Sequence, residues 1–451
     1  MNAPRLRRGM TLVEMLVATT ATLILMGAIA QIFSVFGSAV SGSRSMIELD
    51  NRMRSVAWRL RGDLSGSTAT TTPPLSPDAG EGYLEIIEGP NTDRMLFNPS
   101  TGAVFDKFDP SVAALGDGDR LLGDVDDILL FTTRNEETPF QGRYGTTTIE
   151  SPVAEVAWFL RGTAGTTPTT YTLYRRQLLV LGYAGLPPFQ AGGNGVAATT
   201  YGSWTRFYDT FDVSVSLAAG MLRPTSLADL TRRETRFLHN HAGLSDGSGF
   251  PYPFDPSREG LFFNPAAQAA APPSTRVSED VVLTNVIAFD VRVFDPTGPV
   301  SAQAATAFVP GDPGFQNAAD AGGCYVDLGN GAMINGPAGV PPRFAGFGQN
   351  KVGVAPAGVG MVGAPTVRRT WDTWSTHYET NGRDDDGDGT VDQGTDGLDN
   401  NANGQVDEPL EQETSAPYPV PLRGIEIRLR CFEPSSRQVR QVTVRHSFVP
   451  R

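Results

Sequence analysis

The chain has 451 residues, of which 50 are glycine and 34 are proline, and its formal net charge at pH 7 is −13. Twelve acidic residues and one arginine between Glu379 and Glu413 contribute −11 of that charge, so the remainder offers no basic surface of the kind that binds nucleic acid. The clustered glycine and proline residues favour one core domain with long loops over several independent domains.

The N-terminal segment combines basic residues with a long apolar run. Arg5, Arg7 and Arg8 come first, and no charged residue occurs between Met15 and Ser43. That stretch is longer than the roughly 20 residues that a helix needs to cross the hydrocarbon core of a membrane. The preceding arginines predict a cytoplasmic N-terminus. A secretory signal peptide would have a shorter apolar region followed by small residues, so the pattern favours a membrane-spanning helix.

One carboxylate, Glu14, lies inside the apolar run, where an ionisable group is costly and indicates a function that gives it a partner. Residues 9–14, GMTLVE, resemble the prepilin peptidase site of type IV pilins and type II secretion pseudopilins. The resemblance implies cleavage between Gly9 and Met10 and N-methylation of Met10, where the family usually has phenylalanine. It also implies that Glu14 pairs with the N-terminal amine of a neighbouring subunit. The alternative is a glutamate that reaches the membrane surface.

An amphipathic segment follows the apolar one. Its apolar residues recur every three or four positions, which predicts a helix from about residue 11 to 64 whose far half packs on a sheet: Met46, Leu49, Met53, Val56, Leu60 and Leu64. We therefore predict a leader peptide at 1–9, a transmembrane helix at 10–37 and an amphipathic helix at 38–66.

The rest of the chain, 67–451, has the pattern of a β-rich domain outside the cytoplasm. Most predicted strands alternate apolar and polar residues between turn signals: Tyr83–Ile87, Arg94–Phe97, Asp127–Thr132, Val153–Leu160, Tyr171–Val180, Thr205–Val215, Val281–Phe294, Gly424–Phe432 and Val439–Phe448. Segments 183–201 and 296–366 are predicted loop insertions, and a short helix is predicted over Leu227–Leu238. The predicted fold class is α+β, with the long helix packed on an antiparallel sheet.

Several segments of this domain form an ordered series: WRLRGDL at 58–64, AEVAWFLRG at 154–162, VVLTNVIAFDVRVFD at 281–295 and the closing pair IEIRLRCFEP and RQVRQVTVRHSFVP. They resemble minor pseudopilins of the J type and PilW-like minor pilins. The resemblance implies a structural subunit of a type II secretion or type IV pilus filament, which prepilin peptidase processes and which binds other pilin or pseudopilin subunits. It would be a single-pass protein of the bacterial inner membrane, with its C-terminal domain in the periplasm or in an extracellular filament.

The acidic segment 381–410 contains two copies of one pattern, with Asp or Asn at positions 1, 3, 5 and 9 and Gly at position 6. Such a loop can bring together the six to eight oxygens that calcium prefers. Position 12, a glutamate in EF-hands, is Thr395 or Leu410, and the tandem resembles thrombospondin type 3 or dockerin-style loops. The predicted ligands of a structural Ca²⁺ are Asp384, Asp386, Asp388, Thr390, Asp392, Asp396, Asp399, Asn401, Asn403, Gln405, Asp407 and Glu408. The alternative is a solvated acidic loop.

Two cysteines, Cys324 and Cys431, are too few for a disulfide framework. Outside the cytoplasm a bridge between them is permitted, and the alternative is two buried free thiols. The sequence has no P-loop and no H-E-x-x-H motif, and we predict that the protein is not an enzyme. Two function classes remain: a minor pilin or pseudopilin, and a calcium-stabilised, adhesin-like surface binding module carried on a pilin anchor.

Overall fold

The structure is a computed structural model, and the residues that it describes are 11–72, 77–88, 95–97, 104–106, 123–125, 127–163, 170–182, 189, 195–201, 207–208, 210–218, 220–237, 239, 278–303, 306–309, 322–329, 369–373, 379–382, 389–407, 411 and 420–449. Its helices and strands, in chain order, are α1 Leu12–Ser65, β1 Leu84–Glu88, β2 Met95–Phe97, β3 Val104–Asp106, β4 Ile128–Arg134, β5 Phe140–Tyr144, β6 Thr147–Ser151, β7 Val153–Thr163, β8 Thr170–Leu179, β9 Val196–Ala197, β10 Val215–Ala218, β11 Met221–Pro224, α2 Leu227–Leu230, β12 Glu279–Asp295, β13 Ser301–Gln303, β14 Thr306–Phe308, β15 Cys324–Val326, β16 Arg369–Asp372, β17 Gly424–Glu433 and β18 Gln438–Ser447.

Nine strands form the main sheet. Eight of them lie in the order β16-β1-β4-β7-β8-β12-β17-β18, and β15 pairs with the end of β12. Every one of these pairings is antiparallel. The register of β12 shifts near Leu283 and Val286, and such irregularities bend a strand and increase its twist. The result is one long helix followed by a curled antiparallel sheet, which confirms the predicted α+β fold.

Helix α1 is continuous over its 54 residues and passes through Gly37 and Gly42 without a break. At about 1.5 Å per residue it is roughly 80 Å long. It ends at Gly66 because the chain there lies against β4, where a Cβ would collide with the carbonyl oxygen of Arg134. The Arg134 N–H donates to the Gly66 carbonyl at 2.7 Å. These bounds agree with the helix predicted over 11–64.

One stripe of α1 packs on the main sheet. All six apolar residues that the sequence pattern singled out are buried: Met46, Leu49, Met53, Val56, Leu60 and Leu64. The last five belong to the core cluster that also contains Phe131, Trp158 and Phe289 of the sheet. Burial of this apolar face, more than the helix propensity of its residues, stabilises the second half of α1.

The opposite face of the sheet is also covered. Along β4, Leu129 and Phe131 belong to the helix-side core, whereas Ile128 and Leu130 belong to a second core. This second core includes apolar residues of the segment between β8 and β12, among them Phe207. Because successive side chains of a strand point to opposite faces, a sheet covered on both faces has strands that are apolar at nearly every position.

A buried charge cluster fastens the end of α1 to the sheet. The Asp63 carboxylate accepts two hydrogen bonds from the Arg175 guanidinium, at 2.7 and 2.8 Å, and a third from Trp158 Nε1 at 3.0 Å. The Thr133 hydroxyl donates to the Asp63 carbonyl at 2.7 Å. Asp63 and Arg175 are 5% and 1% exposed, so this bidentate pair is desolvated and its geometry is specific.

A second buried network joins β1 and β16 to the residues that follow α2. Arg236 Nη1 donates to Asp372 at 2.8 Å and to Glu85 at 3.1 Å, and Arg233 Nε donates to Asp372 at 2.6 Å. The His239 ring lies 2.8 Å from Glu85. Burial alone would raise the pKa of the Asp372 carboxyl, but the charges of Arg236 and Arg233 lower it to about 2. This network therefore holds an ionised carboxylate inside the domain.

Two elements differ from their predictions. Within the predicted strand Thr205–Val215, the described residues 207–208 and 210–214 form only isolated bridges before β10 begins. The aromatic side chains there pack together instead, with the Phe207 and Phe211 rings 4.8 Å apart. The predicted helix Leu227–Leu238 stops after one turn as α2 and continues as the 3-10 turn Arg233–Thr235. The contacts of the two arginines with Asp372 accompany this change of conformation.

Parts of the predicted insertions and several other segments form strands that the sequence pattern did not indicate. Strand β9 lies within 183–201, and β13, β14 and β15 lie within 296–366; other residues of both insertions lie outside the described residues. The strands β3 and β11, the hairpin β5–β6 and the edge strand β16 were also not predicted. These strands are two to five residues long, too short for an alternating pattern to stand out.

Replacing Asp63 by Ala should lower the free energy of unfolding by about 3–5 kcal/mol, because it leaves the buried Arg175 charge without its partner. The change is measured by urea denaturation of the full chain in detergent, followed by tryptophan fluorescence. Arg59→Ala is the matched control, because Arg59 lies on the same helix and also pairs with a residue of the sheet, the exposed Asp280. This substitution should lower the free energy of unfolding by less than about 1 kcal/mol. Equal effects of the two substitutions would contradict the assignment of Asp63 as the fastening residue.

Candidate functional site

The helix α1 begins with a reciprocal cap. Thr11 has an extended backbone, and its hydroxyl oxygen accepts a hydrogen bond from the Glu14 N–H at 3.3 Å. In return, Glu14 Oε2 accepts from the Thr11 N–H at 2.9 Å and from the Thr11 hydroxyl at 3.0 Å. This capping box satisfies donors that a helix N-terminus leaves unpaired, and it places a negative charge where the helix dipole favours one.

Gly9 and Met10, the predicted cleavage and methylation site, lie outside the described residues, so both stay predictions. The described part begins at Thr11, whose N–H donates to the Glu14 carboxylate. The pairing of Glu14 with the N-terminal amine of a neighbouring subunit also stays a prediction.

The first half of α1 is apolar on all sides and is not covered by the described residues. α1 is the one helix among them that is long and apolar enough to cross a membrane, and none of its most apolar window is buried. Thr19, Thr20 and Thr22 lie in this part, and their hydroxyls donate to backbone carbonyls three or four residues earlier, at 2.7–3.0 Å. Their polar groups are thus satisfied without water, as a lipid environment requires.

The acidic segment has a backbone that repeats every fifteen residues. The Asp392 carboxylate accepts from the N–H of Gly382 at 2.9 and 3.1 Å, and Asp407 accepts from the N–H of Gly397 at 2.9 Å. Positive φ angles also recur at this spacing: Gly382 74° and Gly397 80°, Gly389 98° and Gly404 91°, Asp392 49° and Asp407 54°. The two copies of the sequence pattern therefore fold in the same way at these positions.

Alternate side chains of the second copy accept hydrogen bonds from its own backbone. Asp399 accepts from the N–H groups of Asn403 at 3.0 Å and Gly404 at 2.7 Å. Asn401 Oδ1 accepts from the same Asn403 N–H at 3.1 Å, and Asn403 Oδ1 accepts from the N–H of Gln405 at 2.8 Å. Side-chain oxygens at positions 1 and 3 therefore converge on one donor, which brings them together on the concave side of the loop.

The predicted calcium ligands fall into two groups. Four of them, Asp384, Asp386, Asp388 and Glu408, lie outside the described residues. The other eight are described, and one of these, Asp396, has both carboxylate oxygens engaged, by Leu398 N–H at 2.8 Å and Asn400 Nδ2 at 3.0 Å. The ligand assignment stays a prediction.

Glu411 is a residue at this loop that the sequence analysis did not single out. It is 2% exposed, and its Oε1 accepts from the backbone N–H groups of Asn400 at 2.6 Å and Asn401 at 3.0 Å. The signal that points to it is the fifteen-residue spacing. Glu411 stands where Asp396 stands in the first copy, one position after the place of the EF-hand glutamate.

The two cysteines are buried, and no disulfide joins them. Cys324 lies opposite Asp295 and Cys431 opposite Val286, so along β12 they are nine residues, or about 30 Å, apart. A disulfide needs Cα atoms less than about 7 Å apart. The structure therefore agrees with the alternative given above, in which the two buried thiols form no disulfide. Burial raises the pKa of the Cys431 thiol to about 12, which keeps it protonated and unreactive.

A separate group of three buried carboxylates, Glu88, Asp124 and Asp127, was also not predicted. One oxygen of each lies within 4.8 Å of the others. Backbone N–H groups of Leu328 and Val291 donate to Glu88 at 3.1 Å and to Asp127 at 2.6 Å. These bonds join the residues that follow β15 to the end of β1, and β12 to the loop that precedes β4.

Comparison with known proteins gives one match. Residues 4–30 match the family model of the prokaryotic N-terminal methylation motif. No curated protein and no solved structure matches the chain. The matched residues include Thr11 and Glu14 and the first part of the apolar helix. The methylation motif and the apolar helix that follows it together fit a type IV pilin-like protein.

Proposed function

We propose that this protein is a minor pilin or pseudopilin, a structural subunit of a type II secretion or type IV pilus filament. The observation that carries the proposal is the N-terminal methylation motif at residues 4–30, at the start of a helix with two different halves. The first half is apolar and uncovered, and the second is fixed to the sheet through Asp63. In the membrane, lipid would surround the first half of α1. In a filament, other subunits would replace that lipid while the sheet domain stays folded.

The length of α1 supports a single membrane pass. The hydrocarbon core is about 30 Å thick, whereas a helix of 54 residues is about 80 Å long. The apolar half fills the membrane and the amphipathic half projects beyond it. With Arg5, Arg7 and Arg8 on the cytoplasmic side, the sheet domain would lie in the periplasm or in an extracellular filament, and the anchoring membrane would be the bacterial inner membrane.

The cap of α1 suggests how Glu14 acts after processing. Cleavage after Gly9 would leave a positive amine on Met10, one residue from the Thr11 N–H that Glu14 already binds. Both Thr11 donors use Oε2 of the carboxylate, and this cap does not use Oε1. A neighbouring subunit's amine could pair with Oε1 while the cap remains, and in low dielectric that pairing would select one axial register.

Mature protein isolated from cells with an active prepilin peptidase should begin at Met10 and carry one additional methyl group on its amine. N-terminal peptide mass spectrometry measures both features. A Gly9→Val variant, in which the residue before the cut is enlarged, should retain the leader and serves as the control. An intact leader on the wild-type protein in such cells would contradict the proposal.

Glu14 substitutions separate its charge from its cap. Glu14→Ala and Glu14→Gln should both reduce crosslinking of the subunit to its neighbours in membranes at least tenfold, because neither can pair with an amine. Glutamine retains the capping box, and Thr11→Val removes the hydroxyl contacts of the cap but retains the charge of Glu14, so Thr11→Val should assemble nearly as the wild type does.

Resistance to carbonate extraction checks that all three variants are inserted into the membrane. Normal assembly of Glu14→Gln would show that the cap suffices, and it would remove the pairing role of Glu14.

The second candidate function, a calcium-stabilised, adhesin-like module on the same anchor, is favoured by the repeated loop geometry. We propose that Ca²⁺ binds the acidic segment through the ligand set predicted from the sequence, with Asp399, Asn401 and Asn403 among the described side-chain ligands. The segment connects β16, at one edge of the sheet, to β17 near the other edge. Trp371 Nε1 donates to the Val420 carbonyl at 2.7 Å across this connection. Calcium would neutralise the clustered carboxylates and order the connection.

Addition of 1 mM Ca²⁺ to the full chain in detergent should raise its unfolding temperature relative to EDTA, since a cation at about 100 times its Kd contributes about 2.7 kcal/mol. Scanning calorimetry measures the shift. The double variant Asp384→Ala, Asp399→Ala should lose most of it, whereas Glu137→Ala, an exposed acidic residue of another turn, should retain it. The same shift with Mg²⁺, or none with Ca²⁺, would contradict the calcium role.

A further inference from the structure

We infer that Glu411 is a calcium ligand of the second acidic loop and takes the place that position 12 holds in an EF-hand. The inference rests on the calcium role proposed above. It adds a residue outside the predicted segment 381–410 and assigns the missing carboxylate of the second loop to Glu411, in place of Glu408.

The position of the Glu411 carboxylate is the first argument. Its Oε1 accepts hydrogen bonds from two consecutive N–H groups, those of Asn400 and Asn401, at 2.6 and 3.0 Å. These are positions 2 and 3 of the loop, and Asn401 is itself a predicted ligand. The backbone of the loop therefore holds the Glu411 carboxylate against it, and Oε2, which is bound to the same carbon as Oε1, lies within a few ångström of positions 2 and 3.

The second argument is that Oε2 of Glu411 lacks a hydrogen-bond partner among the described residues. Oε2 of Glu411 is buried and has no hydrogen-bond partner in the described part of the chain, although the residue is only 2% exposed. A buried carboxylate oxygen without a donor costs free energy, because burial removes its water and nothing replaces it. A divalent cation bound to Oε2 would offset this cost, and calcium prefers oxygen ligands of this kind.

The composition of the loop supports the same ion. The side chains of Asp399, Asn401 and Asn403 and the carbonyl of Gln405 supply oxygens at positions 1, 3, 5 and 7. A carboxylate at the far end of the loop brings the set toward the six to eight that calcium takes, with water completing it. Position 12 itself is Leu410, which has no ligand atom, so the acidic residue that follows it is the natural replacement.

The corresponding residue of the first loop behaves differently. Asp396 stands fifteen residues before Glu411, but it is exposed, and donors occupy both of its oxygens. One of these donors is the side chain of Asn400, whose backbone N–H binds Glu411. Asp396 therefore helps to shape the start of the second loop, and the buried, partly unpaired carboxylate belongs to Glu411.

Glu411→Gln tests the assignment, because glutamine can still accept from the two backbone N–H groups through its amide oxygen. In EDTA the variant should unfold at the same temperature as the wild type or at a higher one, since it removes an unpaired buried charge. In 1 mM Ca²⁺ it should unfold at a lower temperature. A purely structural acceptor would give a difference of the same sign in both conditions. Calorimetric titration of the full chain in detergent should show at least a tenfold loss of calcium affinity at one site.

Glu413→Gln is the matched control, with the same change of charge two residues further along, and it should behave as the wild type. If Glu411→Gln does not fold, Glu411→Asp, which retains the charge but shortens the side chain, should show the same loss of affinity. Wild-type calcium binding with an unchanged titration for the Glu411 variant would overturn this inference alone. Absence of calcium binding by the wild type would overturn the calcium role itself, and the assignment of Glu411 with it.

Discussion

The bidentate pair between Asp63 and Arg175 is the constraint on which the arrangement of this protein depends. It joins the last turn of α1 to β8, and Trp158 of β7 donates to the same carboxylate. Salt bridges of this kind contribute specificity, because a slip of one residue would leave both charges buried and unpaired. By fixing one end of a long rigid helix, the pair also determines which part of the helix lies on the sheet. The part that remains outside is the apolar part.

The same logic of buried charge recurs on the other face of the sheet. There Arg233 and Arg236 hold Asp372 and Glu85 and tie an irregular segment to strands β1 and β16. The segment between β8 and β12 also contributes apolar residues to the second core, and the directional ion pairs add geometric specificity to that packing. The acidic segment extends this principle to the surface, where the opposite charge that its carboxylates need would come from a bound cation and not from a side chain.

Much of this architecture follows from the sequence because its signals are periodic. The stripe from Met46 to Leu64 has helical spacing, and β7, β8, β12, β17 and β18 are long enough for their apolar pattern to show. The elements that escaped prediction lack such a period. Phe207 and Phe211 have the residue type that is typical of strands, but in the structure their rings stack on each other in an aromatic cluster. The short strands contain too few residues to carry a pattern.

The candidate site shows the same division. Glu14 stood out because a charge in an apolar run is rare, and the loop carboxylates stood out because they alternate around a glycine. Glu411 did not, because its role depends on the three-dimensional return of the chain to Asn400 and Asn401, and only the fifteen-residue offset from Asp396 hints at it. The separation of Cys324 and Cys431 is likewise a matter of register along β12, which composition cannot supply.

The contact between the two ends of the domain has a consequence for its biogenesis. The Ser436 hydroxyl lies 3.2 Å from the Met46 sulfur, 390 residues away in sequence, and Arg440 lies beside Asp50. The helix is made first and the strands that close over it last, so this is a fold of high contact order. A nascent or truncated chain that lacks its final hairpin leaves the apolar stripe of α1 exposed to chaperones and proteases. The apolar stripe of α1 can therefore be buried completely only after β17 and β18 have been made.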